Sequence, residues 1–116
     1  MAKDYTQITK DISEYIMEMR KLVPDAANGF TALAKGATKE GAVSEKVKEF
    51  IALAIGVATH CDGCIGFHTK ALVRLGATRE EVAEVLAMCT YMGGGPNYMY
   101  AADALRAFDQ FSQPAA

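Results

Sequence analysis

No run of residues is long and apolar enough to cross a bilayer. The longest nearly apolar stretch, FIALAIGVA at residues 50–58, is less than half of the ~20 residues a spanning helix needs. The opening MAKDYTQITKDISEY carries no apolar core of the signal-peptide kind, so no secretory signal is read. Basic excess is also missing. The formal charge is −2 and the pI about 5.6, with no Lys/Arg cluster, which argues against nucleic acid or an anionic membrane as a partner. These absences lead to the expectation of a soluble, cytoplasmic protein. Cysteines number only three, and in that compartment they argue for catalysis, metal binding or burial rather than for a disulfide framework. No β-strand pattern, internal repeat or low-complexity tract is found. The glycine run GGGP at 93–96 lacks the strand-to-helix setting of a dinucleotide fingerprint.

What is present is helical periodicity in a chain of 116 residues, enough for one domain and too few for two. Hydrophobic residues make up 51% and charged residues 22%, an ordinary globular mixture. Tyr5, Ile8, Ile12, Tyr15, Ile16, Met19 and Leu22 form an i, i+3/i+4 stripe that Pro24 ends. A shorter helix carrying Phe30, Leu33 and Ala34 follows, and KGATKEGA at 35–42 reads as a loop. Ser44 caps a third helix, apolar almost all round and so expected to be central and largely buried. A break near 59–61 leads to a fourth helix at about 62–75, with Gly76 as its left-handed terminator. Thr78 and Glu81 form a capping box opening a fifth helix. Gly93–Pro96 breaks it, and NYMYAADALRAFDQF is a sixth. The expected fold is all-α with about six helices in a single domain over 1–116. Met88, Tyr91, Met92, Tyr98, Met99 and Tyr100 give the last two helices enough large apolar surface to suggest subunit contacts, a pattern that core packing explains equally well.

The chemistry concentrates in HCDGCIGFHTKAL at 60–72. On a helix, Cys61, Cys64 and His68 lie at i, i+3 and i+7 on one face, starting at the first turn. A helix N-terminus favours negative charge, and thiolate is the reactive form of cysteine. A C-x-x-C placed there can ionise at roughly 3.5–7.5 instead of ~8.5. His68 is within reach of Cys64's proton, and the two sulfurs can close a small disulfide ring. Three other readings stand beside this one. His60, Cys61, Cys64 and His68 are four possible zinc ligands, but structural zinc sites usually join two separated ligand pairs and no second pair exists here; no metal is expected. The thiols can be buried and inert, and His68 a satisfied core histidine. Cys89, without a partner cysteine nearby, reads as packing.

Glu49 stands out in the apolar third helix. Counting along that helix, Glu49, Ala52, Gly56 and His60 share a face whose small residues would admit a neighbouring helix. There the carboxylate would be partly desolvated and able to hold or pass a proton. The alternative, solvation beside Glu45 and Lys48, is equally open at this point.

The run KVKEFIALAIGVATHCDGCIGFHTKALVRLGATREEVAEVL resembles the carboxymuconolactone decarboxylase superfamily in its alkylhydroperoxidase D-like branch. That branch carries Glu, eleven residues, C-x-x-C, three residues, His, which falls here on Glu49, Cys61, Cys64 and His68 without insertion. The likeness is strong over about 43–92 and looser to 111. It implies an all-helical fold assembling into homotrimers or homohexamers, and reduction of hydroperoxides at a dithiol without metal, flavin or nucleotide. It implies Cys64 as the attacking thiolate, Cys61 as the resolving thiol, and His68 with Glu49 as the proton relay. A dithiol reductant, protein or lipoyl-type, would restore the pair; the alternative is a general disulfide reductase or redox relay, or a non-catalytic helical oligomer whose dithiol senses oxidation or binds metal. Members of the branch can carry a relay histidine between the cysteines. Gly63 stands there, and His60, on the counted face of Glu49, is the candidate substitute. Decarboxylases of the superfamily usually lack the cysteine pair, which argues against decarboxylation of a lactone.

Overall fold

Each helix begins and ends on chemistry that the local sequence supplies. The computed structural model describes residues 2–113. In α1, Tyr5–Leu22, the Asp4 side chain caps the first turn by accepting from the Thr6 and Gln7 amides. Pro24 both ends that helix and opens the next, α2, Pro24–Thr38, because proline's fixed φ and missing N–H suit a first helical position. In α3, Glu45–Ala58, Ser44 Oγ accepts from the Val47 amide at 3.1 Å. α4 spans Asp62–Arg74. α5, Arg79–Ser112, opens on the expected capping box: Glu81 N–H donates to Thr78 Oγ1 (3.1 Å) and Thr78 N–H to Glu81 Oε1 (2.8 Å).

Among the described residues the elements are therefore five, not six. Between Arg79 and Ser112 only Gly94 leaves helical geometry, at φ 74° and ψ −157°, a region that essentially only glycine occupies. Pro96 follows early in the second segment, where its absent N–H costs little. The two expected helices thus abut without a loop. The buried Asn97 spans the break by donating Nδ2–H to the Cys89 carbonyl at 3.1 Å. The expected loop at 35–42 starts only after Thr38. A lone Gly36 costs about 1 kcal/mol in a helix, too little to stop one that is already propagating.

The core lies between α3, α4 and α5. Leu53 and Val57 meet Ile65 and Leu72 and the α5 residues Val82, Leu86, Ala104 and Phe108. α1 packs along α4 through Tyr5 and Thr9. Farther on, its apolar stripe leaves the body: Tyr15, Met19 and Leu22 are exposed. α2 packs mainly against α1. α3 also departs from expectation. One face is buried, while Val47, Ile51 and Ile55 lie open on the other, because only one side meets α4 and α5. Among the described residues no helix is long and apolar enough to cross a membrane.

Tyr5 is fully buried, yet its hydroxyl has no hydrogen-bond partner among the described residues. Burial, with Asp103 and Asp62 nearby, pushes the phenol up to about 12. Its contribution to stability is therefore its ring. Urea unfolding should find Tyr5→Phe as stable as the wild type or up to about 1 kcal/mol more so. Tyr5→Ala should lose about 3–5 kcal/mol, as for other large aromatic truncations.

Candidate active site

The site is built at the tight turn between α3 and α4. The Cys61 amide donates to the Gly56 carbonyl (2.9 Å) and the His60 amide to that of Val57 (3.1 Å). This pattern closes a helix with a left-handed residue after its cap. The same pair of bonds closes α4, from Ala77 to Leu72 and from Gly76 to Val73. There the left-handed position holds glycine, Gly76 at φ 78°, as expected; at the end of α3 it holds His60 at φ 56°.

The turn delivers Cys61 as the N-cap of α4 and Cys64 into its first turn. The Cys61 and Cys64 sulfurs are paired as a disulfide, with their Cα atoms 5.3 Å apart, inside the usual range for such a bond. The Cys64 amide donates to Cys61 Sγ at 3.2 Å. Both residues are half-buried. Gly56 makes this possible from the other side, since a β-carbon there would lie 2.9 Å from Cys64 Cβ, closer than real contacts allow.

One turn beyond Cys64, His68 turns to α3. Its Nδ1 lies 2.6 Å from Glu49 Oε2. Glu49 is only 6% exposed, which decides between its two readings: it faces α4, not solvent. A carboxylate only accepts, so it selects the tautomer with hydrogen on Nδ1 and leaves Nε2 of the neutral ring as the basic nitrogen. Glu49, Cys61, Cys64 and His68 thus gather on the two facing helices.

His60 does not join them. α3 ends at Ala58, so the helical count that placed residue 60 on the face of Glu49 fails at its last member. The left-handed backbone turns the ring onto Tyr100, with centroids 4.3 Å apart and planes 4° from parallel. Among the described residues no hydrogen bond links His60 to Glu49, His68 or the cysteines, and no three His, Cys, Asp or Glu side chains are grouped to hold a metal ion. Cys89 is buried and unpaired, and burial pushes its thiol up. Two neighbours of the dithiol escaped the sequence reading. Asp62, inside the motif, pairs with Lys3 at 2.9 Å, and Tyr100 supports His60. Both partners are far away in the chain, and no local pattern announces either contact.

Residues 24–107 match the family described as the Carboxymuconolactone decarboxylase family. The chain belongs to the carboxymuconolactone decarboxylase family. An apo crystal structure of a family protein from Legionella pneumophila superposes with a TM-score of 0.92 at 54% identity, over 94% of this chain and 97% of that one. An uncharacterized protein of Cupriavidus necator is 41% identical over 109 residues, 94% of this chain and 96% of its own. A Paracoccus denitrificans protein described as uncharacterized protein 4 in the cox locus is 35% identical over 83 residues, 72% and 75% of the two chains. The Glu…C-x-x-C…His set of the alkylhydroperoxidase D-like branch fits this family, and here it forms two pairs on α3 and α4, Glu49–His68 and Cys61–Cys64.

Thiol counting checks the geometry. After reduction, the native protein should expose two thiols to an aromatic disulfide reagent, Cys61 and Cys64. The third, Cys89, should react only after unfolding in guanidinium, because an apolar site disfavours its thiolate. Three rapidly reacting thiols in native protein would contradict the placement of Cys89.

Proposed function

We propose that the protein is a thiol-dependent hydroperoxide reductase acting through the Cys61–Cys64 dithiol. The observation that supports this reading best is the Glu49–His68 hydrogen bond at 2.6 Å, on the turn after a sulfur pair at a helix N-terminus. A dithiol at a helix start is a redox couple; a buried carboxylate holding a half-buried imidazole one turn on gives it a proton carrier.

In this reading His68 takes the Cys64 proton, Glu49 holds the ring and balances its positive charge, and the α4 N-terminus favours the thiolate. The sulfur attacks the terminal peroxide oxygen. The O–O bond breaks, an S–O bond forms, and the proton returns to the departing alkoxide as alcohol. Cys64 is now a sulfenic acid. The Cys61 sulfur attacks it, water leaves, and the disulfide forms. One peroxide and one dithiol thus give one alcohol, one water and one disulfide. An external dithiol, protein or lipoyl-type, restores the pair by two exchanges and carries away the two electrons.

The Cys64 amide bond to Cys61 Sγ favours a second reading, general disulfide exchange. A hydrogen bond to sulfur stabilises its anion, which would make Cys61 the attacking thiol. The assembly is proposed as a homotrimer or homohexamer. The exposed Ile51, Ile55, Met88, Tyr91 and Met92 on α3 and α5 would be covered by a second copy, and the working compartment would be the cytoplasm.

Peroxide consumption with dithiothreitol as reductant tests the reading. Cys64→Ser should abolish turnover, and Cys61→Ser, reduced and then freed of dithiothreitol, should consume about one equivalent and stop at the sulfenic acid. Glu49→Gln and His68→Ala should each slow it by about 10²- to 10⁴-fold, the usual span for a lost proton-transfer group. Turnover surviving in Cys64→Ser would overturn the assignment. Mixed disulfides forming in Cys64→Ser but not in Cys61→Ser would favour the exchange reading.

A further inference from the structure

Both chain neighbours of Cys61 are held by a cluster that the proposed chemistry leaves unused. Asp62, at the first position of α4, lies in sequence between the two cysteines and carries a carboxylate. Lys3 reaches it from the other end of the chain. Lys3 Nζ is 2.9 Å from Asp62 Oδ1 and 3.2 Å from Asp103 Oδ2, and 5.1 Å from the centroid of the Tyr100 ring. That ring in turn stacks on His60.

The lysine is not a loose surface side chain. Gln110 Nε2–H donates to the Lys3 carbonyl, and the Tyr5 amide donates to Gln110 Oε1, both at 2.8 Å. This clamp fixes the segment before α1 against the end of α5. The hydrogen bond to Asp62 raises the Lys3 ammonium further, so that it stays charged throughout the range in which thiols titrate.

An acidic group in the first helical turn competes with a thiolate for the same positive helix end, and repels it. Burial of the charge is partial, with both side chains over a third exposed, so solvent screens the effect without cancelling it.

We propose that Lys3 is a positioning residue for the dithiol: its ammonium, clamped over Asp62, offsets the carboxylate between the cysteines and so favours the reduced form. The inference rests on the dithiol reading above. It adds a device, assembled from the two ends of the chain, that sets how readily the pair accepts electrons.

The test is equilibrium with glutathione at neutral pH. Two glutathione thiols and the Cys61–Cys64 disulfide give the protein dithiol and one glutathione disulfide. Two electrons pass from the glutathione sulfurs to the protein sulfurs. The two glutathione protons go to the protein thiols, or to the medium where a thiolate remains. Lys3→Met should move this equilibrium toward the protein disulfide by about two- to fivefold, the span expected of one partly screened charge pair. Lys3→Arg should retain the wild-type constant. Asp62→Asn alone, which leaves the N-terminal clamp intact, should move it the opposite way. Lys3→Met combined with Asp62→Asn should return it close to wild type. A purely structural role for Lys3 would not follow this charge pattern. Coinciding constants for wild type and Lys3→Met, no shift in Asp62→Asn, or a double variant that keeps the Lys3→Met value would overturn the inference while the dithiol reading stands. A wild type that never pairs Cys61 with Cys64 in glutathione would bring down both.

Discussion

The close approach of α3 and α4 at Gly56 is the constraint on which the site depends. The glycine gives up a side chain so that Cys64 can lie against the α3 backbone. That contact sets how near Glu49, two turns back along α3, comes to His68, one turn on along α4. At 2.6 Å a buried carboxylate holds a partly exposed imidazole and fixes its tautomer. Neither group would be stable in its place alone, since an unpartnered buried carboxylate is costly and an untethered imidazole has no preferred orientation. The bond satisfies the polar groups of the interface and leaves one basic nitrogen for chemistry.

The turn between the two helices adds a second constraint. Two successive helices end in the same hydrogen-bonded pattern, one with glycine in the left-handed position and one with His60. For histidine that conformation is uncommon, though less so than for bulky or branched residues. Its stacking on Tyr100 offsets part of the cost and fixes the chain just before Cys61. The sulfur pair is thus held from three directions, by the turn before it, the helix it caps and the α3 backbone beneath it.

Much of this was legible in the sequence, because it is local. Ser44, the Thr78–Glu81 box and Gly76 announce their helix ends by residue type, and Cys61, Cys64 and His68 share a short spacing. Glu49 was visible as an odd carboxylate in an apolar helix, but its direction depended on a helix crossing that periodicity does not encode. His60 was misplaced because the helical count ran two residues past the point where the backbone turns. The GGGP run reads as a break and is one, yet a single residue absorbs it, so two expected helices make one element. Lys3 and Gln110 give no signal, and Tyr100 reads only as apolar surface, since their partners lie tens of residues away. The open apolar face of α3 reads as core from composition alone, and that of α5 as subunit contact or core equally; only the packing separates the buried side of each helix from the bare one.

The central proposal is that the Glu49–His68 pair is electrostatically coupled to the sulfur pair at the start of α4. Thiolate absorbance at 240 nm, followed against pH in the reduced protein and in His68→Ala, tests it most directly. The account predicts that one thiol of the wild type ionises below the ~8.5 of a free cysteine, and that its midpoint moves in the variant. A wild-type titration at the ordinary thiol value, unchanged when the imidazole is removed, would contradict it.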